Sequence, residues 1–270
     1  MNFTNSLLIL KKDWKSSVRK KEILMPMIFL PVVFTILLPV LMMVGIIVAP
    51  EDYISSFGDI NVLRLILNIP ANYNEYLVGA IMMLRMFLLP IFLIIPGLLP
   101  AIISSDSFAG EKERKTMESL ALLPITKNEL IVGKILVSFV PSMCITFACF
   151  IGIGLTVNLM FLSHLEGNIL FFSDLSFIFV GFLLSPLLAF LNIQISVIIS
   201  SRSKDLKSAQ SISGALVTPV FALLFVQMFN PAFLTVPIII ILSGILTLLC
   251  LIFIKLATKL LNIEKLILMV

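Results

Sequence analysis

Charged residues are scarce in this chain, and no long polar stretch interrupts its apolar runs. Asp, Glu, Lys and Arg make up 13% of the 270 residues, about half the share in a soluble domain, whereas hydrophobic residues make up 60%. No segment between two apolar runs is long enough to form a separate polar domain. This composition excludes a soluble globular protein and places the chain in a membrane.

Cysteine and histidine are also rare. Cys144, Cys149 and Cys250 all lie inside apolar runs, where cysteine commonly acts as a small buried hydrophobe. The single histidine, His164, stands beside Glu166 in a loop, a setting typical of a solvated side chain. We therefore expect no disulfide, no metal site and no nucleic-acid partner.

Acidic residues are absent from the interiors of the apolar runs. Paired buried carboxylates would be needed for an intramembrane enzyme or for a carrier driven by protons or sodium ions, so these classes are disfavoured and we expect no catalytic residue. Arg85 is the one formal charge well inside a run. It lies close enough to the outer surface to extend into water or to pair with an outer carboxylate.

Six apolar runs are each long enough to cross about 30 Å of hydrocarbon as a helix. They span residues 23–48, 79–103, 135–162, 175–199, 211–229 and 234–254. Only a helix or a closed barrel satisfies all its backbone groups in lipid, so the runs predict an all-α integral membrane fold with six transmembrane helices. Residues 230–233 alone separate the last two runs, which predicts a tight helical hairpin.

The first residues form a basic amphipathic pattern. Phe3, Leu7, Leu10, Trp14 and Val18 recur at helical spacing. Basic residues occupy the other faces, among them Lys11, Lys15 and Arg19. A signal peptide is the alternative, but the following run lacks a small-residue cleavage site. We predict an interfacial helix over 1–22, a membrane domain over 23–254 and a cytoplasmic tail over 255–270, all within one transmembrane domain covering 1–270.

The basic residues predict the orientation. All but two of the 19 Lys and Arg residues lie near the two termini or in the 104–134 and 201–210 loops. Short basic loops stay on the cytoplasmic side, so both termini are predicted to be cytoplasmic in a multi-pass protein of the plasma membrane. The outer loop, 49–78, contains an apolar patch over 60–67 that predicts a short interfacial helix.

The most informative stretch is the charged segment 106–134 between the second and third runs. We expect the second span to leave the membrane at residues 104–106, a short cytoplasmic helix to follow over 108–123, and this helix to end at Pro124. Thr126 and Glu129 then form a capping box that starts the next helix. The charged side chains of the cytoplasmic helix are expected to face water and to offer charge pairs to a partner protein. They include Glu111, Lys112, Glu113, Arg114 and Glu118.

The string EKERKTMESLALLPITKNELIVGK resembles the signature of the ABC type-2 transporter permeases, in particular the NatB-like subgroup of sodium and multidrug exporters. The matching positions are Glu111, Lys112, Glu113, Arg114, Thr116, Glu118, Leu122, Pro124, Glu129, Leu130, Gly133 and Lys134. Lys115 stands where the family usually has glycine. The resemblance extends over essentially the whole chain.

This resemblance implies a half-transporter that moves cargo outward. Two permeases, identical or related, pair in the membrane, and two cytoplasmic ABC ATPase subunits bind below them. The 106–124 segment acts as the coupling helix, and the amino-terminal helix rests on the same ATPase. The coupling contacts fall on Glu111, Lys112, Glu113, Arg114, Thr116, Met117, Glu118, Leu122 and Pro124. The chain has no Gly-rich phosphate loop and binds no cofactor, so ATP and Mg²⁺ are expected on the partner ATPase.

Neutral polar residues within the runs have two interpretations. They are polar residues at helix contacts, or they line the translocation path. The residues in question are Ser142, Thr146, Asn158, Asn192, Gln194 and Gln227. A largely apolar path favours an amphiphilic cargo, which is lipid-like, a peptide or a drug. A sodium-efflux permease, or a non-transporting sensor or immunity component that binds an ATPase, is the alternative.

Overall fold

A computed structural model describes most of the chain, namely residues 10–15, 20–48, 59–70, 73–114, 127–164, 170–172, 174–203, 206–230 and 233–260. Within these ranges the chain is helical apart from short turns and contains no strand. The helices are α1 (10–15), α2 (21–48), α3 (Ile60–Leu67), α4 (75–113), α5 (Lys127–Met160), α6 (175–202), α7 (Leu206–Phe229) and α8 (Val236–Leu260).

Six of the described helices are long and apolar enough to cross a membrane. Their spans, numbered in chain order, are Ile23–Val48, Glu75–Ser105, Val132–Met160, Leu175–Ser200, Leu206–Phe229 and Val236–Leu256. The predicted all-α integral membrane fold with six spans is therefore confirmed. The short helix predicted over 60–67 is also present, as α3. Helix α7 ends at Phe229 and α8 begins at Val236, but α8 packs mainly against α6, so the predicted tight hairpin of the last two spans is not borne out.

Span 2 is the centre of the bundle. In its apolar stretch 78% of the residues are buried, against 17% in spans 1 and 6. The part of α4 from Ile94 to Ser105 packs against α2, α5, α6 and α7. Spans 1 and 6 instead expose apolar side chains such as Met25 and Leu248, as expected for helices that face lipid.

Wide turns interrupt spans 1, 2 and 4 at positions that the prolines explain. Each is a π turn that ends two residues before a proline: Val33–Leu37 before Pro39, Leu84–Leu88 before Pro90, and Val180–Leu184 before Pro186. A proline ring clashes with the carbonyl four residues earlier and has no N–H for it. In each wider turn, the N–H of the residue before the proline donates to the carbonyl five residues back; Leu38, for example, donates to Val33. The helix therefore continues with a local irregularity rather than breaking.

Span 2 ends at Ser105, within the predicted 104–106. The helix itself continues without a break through a π turn at Asp106–Gly110 and on to Glu113, so the helix expected from residue 108 begins as an extension of span 2. Ser104, Ser105 and Asp106 are all buried, because neighbouring helices supply partners for their polar atoms. The rest of the predicted cytoplasmic helix, from residue 115, lies outside the described residues.

Candidate functional site

A buried ion pair joins the end of α4 to the start of α5. Lys134 Nζ contacts a carboxylate oxygen of Glu111 and donates to the carbonyl oxygen of Ser107. The Lys134 side chain is 0% exposed and that of Glu111 is 11% exposed. Burial of a lysine is costly unless close oxygen acceptors surround its Nζ, and Glu111 and Ser107 supply them.

Helix α1 adds a second carboxylate to this pair. Asp13 is buried, with Oδ2 3.9 Å from Lys134 Nζ, while Lys12 Nζ lies 3.6 Å from Glu111 Oε1. Burial raises the pKa of the Asp13 carboxyl above its ordinary value of 3.8; Glu111 adds to the rise, and Lys134 and Lys12 oppose it. Leu10, on the same side of α1, packs against Ile23 of span 1 and its neighbours. Helix α1 is thus fixed to the bundle by both charge and apolar contact.

Helix α4 contributes another buried carboxylate, that of Asp106, about one turn before Glu111. Asp106 is 2% exposed and binds Lys20 through Oδ2 and Arg114 through Oδ1, the latter at 2.7 Å. A Cβ atom at Gly110 would lie 2.5 Å from Asp106 Oδ1, so the absence of a side chain at this position allows the Asp106–Arg114 contact. We call Lys12, Asp13, Lys20, Asp106, Glu111, Arg114 and Lys134 the inner charge cluster.

The residues between Glu111 and Arg114 bind the junction of α6 and α7. Glu113 Oε2 accepts a hydrogen bond of 3.1 Å from the backbone N–H of Leu206, at the start of α7. Lys112 Nζ donates to the carbonyl oxygen of Ser203, just after α6, at 3.5 Å. A negative charge at a helix N-terminus is favourable because free N–H groups and the helix dipole point towards it.

The predicted coupling residues are therefore divided. Glu111, Lys112, Glu113 and Arg114 are described, and each binds another part of the same chain. The remaining residues lie outside the described ranges: Thr116, Met117, Glu118, Leu122 and Pro124. The expectation that Glu111 faces water is wrong, because Lys134, which we placed in the cytoplasmic loop, is buried within α5 and neutralises it. Contact with an ATPase stays a prediction for the whole set.

The capping and interfacial predictions are partly visible. Helix α5 begins at Lys127, directly after Thr126, which itself lies outside the described residues. Glu129 is buried in the first turn, and its capping role stays a prediction. On α1, Lys11 and Lys15 are exposed and Trp14 is half-buried, while Arg19 is not described.

The residues predicted for a translocation path lie mainly between helices of this one chain. Ser142, Thr146, Asn192, Gln194 and Gln227 are buried, and Asn158 is half-buried. Most bond to backbone carbonyls; Thr146, for example, donates to the carbonyl oxygen of Ser142 at 2.7 Å. The side-chain amide of Gln194 makes no hydrogen bond to any described residue. Their role in a path stays a prediction.

Three serine hydroxyls connect spans 2, 4 and 5 near the inner charge cluster. Ser105, Ser196 and Ser213 lie 3.0 to 3.2 Å from one another, and all are buried. Ser105 and Ser196 also donate to the carbonyl oxygen of Ala101. This serine cluster thus links the three spans by hydrogen bonds.

The opposite end of the bundle is held by Arg85, as its position in the sequence suggested. Its Nε lies 2.6 Å from Asp174 Oδ2, and its Nη1 donates at 2.6 Å to the carbonyl oxygen of Leu67, at the end of α3. The backbone carbonyl of Arg85 accepts from the Gln227 amide, which in turn accepts from the N–H of Leu234. We call these residues the outer network.

The fold thus defines a multi-pass α-helical membrane protein with a charged, helix-linking centre at one end. The family model described as ABC-2 family transporter protein matches residues 7–241, so the chain belongs to this family and is a membrane permease subunit of an ABC transporter. Such subunits associate with ABC ATPase subunits. Comparison with curated proteins and with solved structures finds no match.

Sequence reasoning did not anticipate five members of the inner charge cluster as site residues, namely Lys12, Asp13, Lys20, Asp106 and Lys134. The lysines served to predict orientation, and Asp106 to mark the end of span 2. One signal was available, since Asp13 stands alone as an acid in a helix of basic residues and lies three positions after Leu10. That spacing puts both residues on the side of α1 that faces the protein.

Proposed function

We propose that this chain forms the translocation path of an ABC exporter as a dimer with a second copy or a homologue, driven by two cytoplasmic ATPase subunits through the 106–124 segment. The supporting observation is that residues 106–114 bind five other parts of the chain. These partners belong to α1, α2, α5, the end of α6 and the start of α7.

These contacts provide a physical route for coupling. A force on the segment that follows Arg114 acts directly on Glu111 and Glu113, and so on Lys134 and on the start of α7. Closure of the ATPase dimer around ATP would displace that segment and carry the attached spans between inward and outward arrangements. Such rigid-body switching needs packed helices with two stable arrangements and no catalytic residue in the permease.

The charges within the spans support an amphiphilic cargo that is lipid-like, a peptide or a drug. Arg85 and Lys134 are ion-paired within the chain by Asp174 and Glu111. The remaining surfaces of the spans are strongly apolar, with mean hydropathies from 2.0 to 2.9. Hydrolysis of ATP by the reconstituted complex should rise when the true cargo is added, which gives a direct assay of candidates.

The distribution of the basic residues among the loops supports cytoplasmic termini in a protein of the plasma membrane. A cysteine placed at position 2 of a variant without native cysteines should react with a membrane-impermeant thiol reagent only after the cells are opened. Labelling of intact cells would overturn this orientation.

The decisive experiment is copurification of the ATPase with the tagged chain in mild detergent. Charge reversal at Glu111 would be uninformative, because a second cation beside buried Lys134 would unfold the site. Glu118→Lys changes the predicted contact beyond the inner charge cluster and should release the ATPase while the permease stays monodisperse.

Glu166→Lys, in the loop on the opposite side of the membrane, is the matched control and should retain the ATPase. Retention of the ATPase by Glu118→Lys would contradict the coupling assignment. Absence of any ATP-hydrolysing partner from the wild-type preparation would contradict the proposed function itself.

A further inference from the structure

A cavity of about 400 Å³ lies at the inner end of the bundle, beside the inner charge cluster. Its lining residues come from the start of α2, the end of α4 and the start of α7: Lys20, Lys21, Glu113, Arg114 and Leu206. Helices α2 and α7 both pack against α4. The cavity, called the notch below, therefore lies between α2 and α7, and α4 forms its inner wall.

The lining carries a net positive charge. Three of its five residues are cationic, and its one carboxylate, Glu113, accepts a hydrogen bond from the N–H of Leu206. Lys20 and Arg114 share the carboxylate of Asp106, which is buried beneath them. Lys21 is exposed and has no hydrogen bond or ion pair with any described residue. Among the described residues, Lys21 thus provides an ammonium group without a carboxylate partner, next to the guanidinium group of Arg114.

An apolar stripe runs from this notch along α2 into the membrane. Met25, Ile28 and Phe29 follow Lys21 at helical spacings of four, seven and eight, so they lie on the same face. They are 67%, 57% and 65% exposed. A charged notch at the membrane surface that continues into an exposed apolar stripe has the shape and polarity of a phospholipid.

We propose that the notch binds the phosphate headgroup of an anionic phospholipid from the adjacent leaflet, with the acyl chains lying along the stripe on α2. The headgroup oxygens accept from Lys21 and from the N–H groups of Arg114 that Asp106 does not use. A net positive site selects an anionic lipid, because the ammonium of a zwitterionic headgroup would add a cation beside Lys21. The stripe selects a lipid over a soluble phosphate compound.

This site would act next to the coupling segment without being part of the cargo path. Its phosphate would bridge α2 and the end of α4 at Arg114, where the described part of the 106–124 segment ends. The proposal does not depend on the identity of the cargo or on the ATPase.

The test is lipid binding to the purified full-length chain in an uncharged detergent, with bound lipid counted by native mass spectrometry. The probes are phosphatidylglycerol, phosphatidylcholine and soluble glycerol 3-phosphate. Phosphatidylglycerol should bind to the wild type in preference to phosphatidylcholine, and glycerol 3-phosphate should not displace it. Lys21→Gln should weaken this binding about fivefold, the effect of one basic residue near an anionic lipid.

Lys255→Gln is the matched control, since it removes an exposed positive charge from the same end of the bundle at α8, away from the notch. Equal weakening by Lys255→Gln would mean diffuse attraction and would overturn the site. Equal binding of phosphatidylcholine would overturn the headgroup assignment. Displacement by glycerol 3-phosphate would make this a site for soluble phosphate and would overturn the lipid assignment. Both substituted side chains are exposed, so both variants should fold.

Discussion

The two ends of the bundle are held together by different kinds of interaction. At the inner end, buried carboxylates of Asp13, Asp106 and Glu111 bind cations from other helices or from farther along α4. At the outer end, Arg85 makes one ion pair and otherwise the bonds run to backbone atoms. A bond to a backbone carbonyl depends on one side chain only, whereas each member of a buried charge cluster depends on the charges of several others. The sensitive end is the one that the family's ATPase is expected to engage.

The largest effect should follow from breaking the inner end at its centre. Lys134→Met leaves the buried carboxylates of Glu111 and Asp13 with only the exposed ammonium of Lys12, and we expect a loss of about 3–5 kcal/mol in stability. Heating in detergent followed by size-exclusion chromatography measures this loss. The double variant Lys134→Met with Glu111→Gln should recover part of it, because one uncompensated charge is removed. A single variant as stable as the wild type would show that the cluster is not a buried ionic centre.

A smaller effect is expected at the outer end. Arg85→Met removes the ion pair to Asp174 and the bond to the Leu67 carbonyl, at a cost of about 1–3 kcal/mol in the same assay. Asp174→Asn is the milder control, because its amide oxygen can still accept the N–H of Ser176 and cap α6. An Arg85 variant that loses more stability than Lys134→Met would reverse the comparison of the two ends.

The inner end should also respond to pH through Asp13. Because its pKa is raised on folding, the folded protein holds this proton to a higher pH than the unfolded chain, and stability falls as the pH rises from 3.8 through the raised pKa. Asp13→Asn cannot ionise. The variant should gain stability relative to wild type across that window, by about 1.4 kcal/mol per unit of pKa elevation. If the melting temperatures of Asp13→Asn and of the wild type differed by the same amount at every pH, this prediction would be contradicted.

The smallest effect concerns the serine cluster. Ser213→Ala removes one hydroxyl shared with Ser105 and Ser196, and hydrogen bonds between spans contribute on average about 0.6 kcal/mol. Thermal denaturation of the variant should therefore differ only slightly from wild type. Ser211→Ala, two residues away at an exposed position, should show no change.

The spans could be predicted from sequence because their physical cause is local. A run of apolar residues must be helical in lipid wherever it occurs, so the six spans follow from composition and length. The pairing of Arg85 with an outer carboxylate was also foreseeable, since a lone charge near the membrane surface must either reach water or pair with an opposite charge.

The inner charge cluster could not be predicted in the same way. Glu111 and Lys134 are far apart in sequence, and each has the appearance of a solvated charge until the packing of α4 against α5 brings them together. The burial of Ser105 and Asp106 could not be predicted either. Polarity alone does not distinguish polar residues that face water from polar residues that are bound by other parts of the chain, as Ser105 and Asp106 are here.

The inner charge cluster and the outer network both include residues of α4. Glu111 and Arg85 lie on α4, separated by roughly 39 Å at about 1.5 Å per residue. A rod of this kind transmits an axial displacement from one face of the membrane to the other without any chain of switching side chains between them. The π turns at Leu84–Leu88 and Asp106–Gly110 and the turn at Leu93 are the irregular points of this stretch, where it could yield. The stiffness of α4 around Pro90 would then determine how far a push from the inner side reaches the outer network.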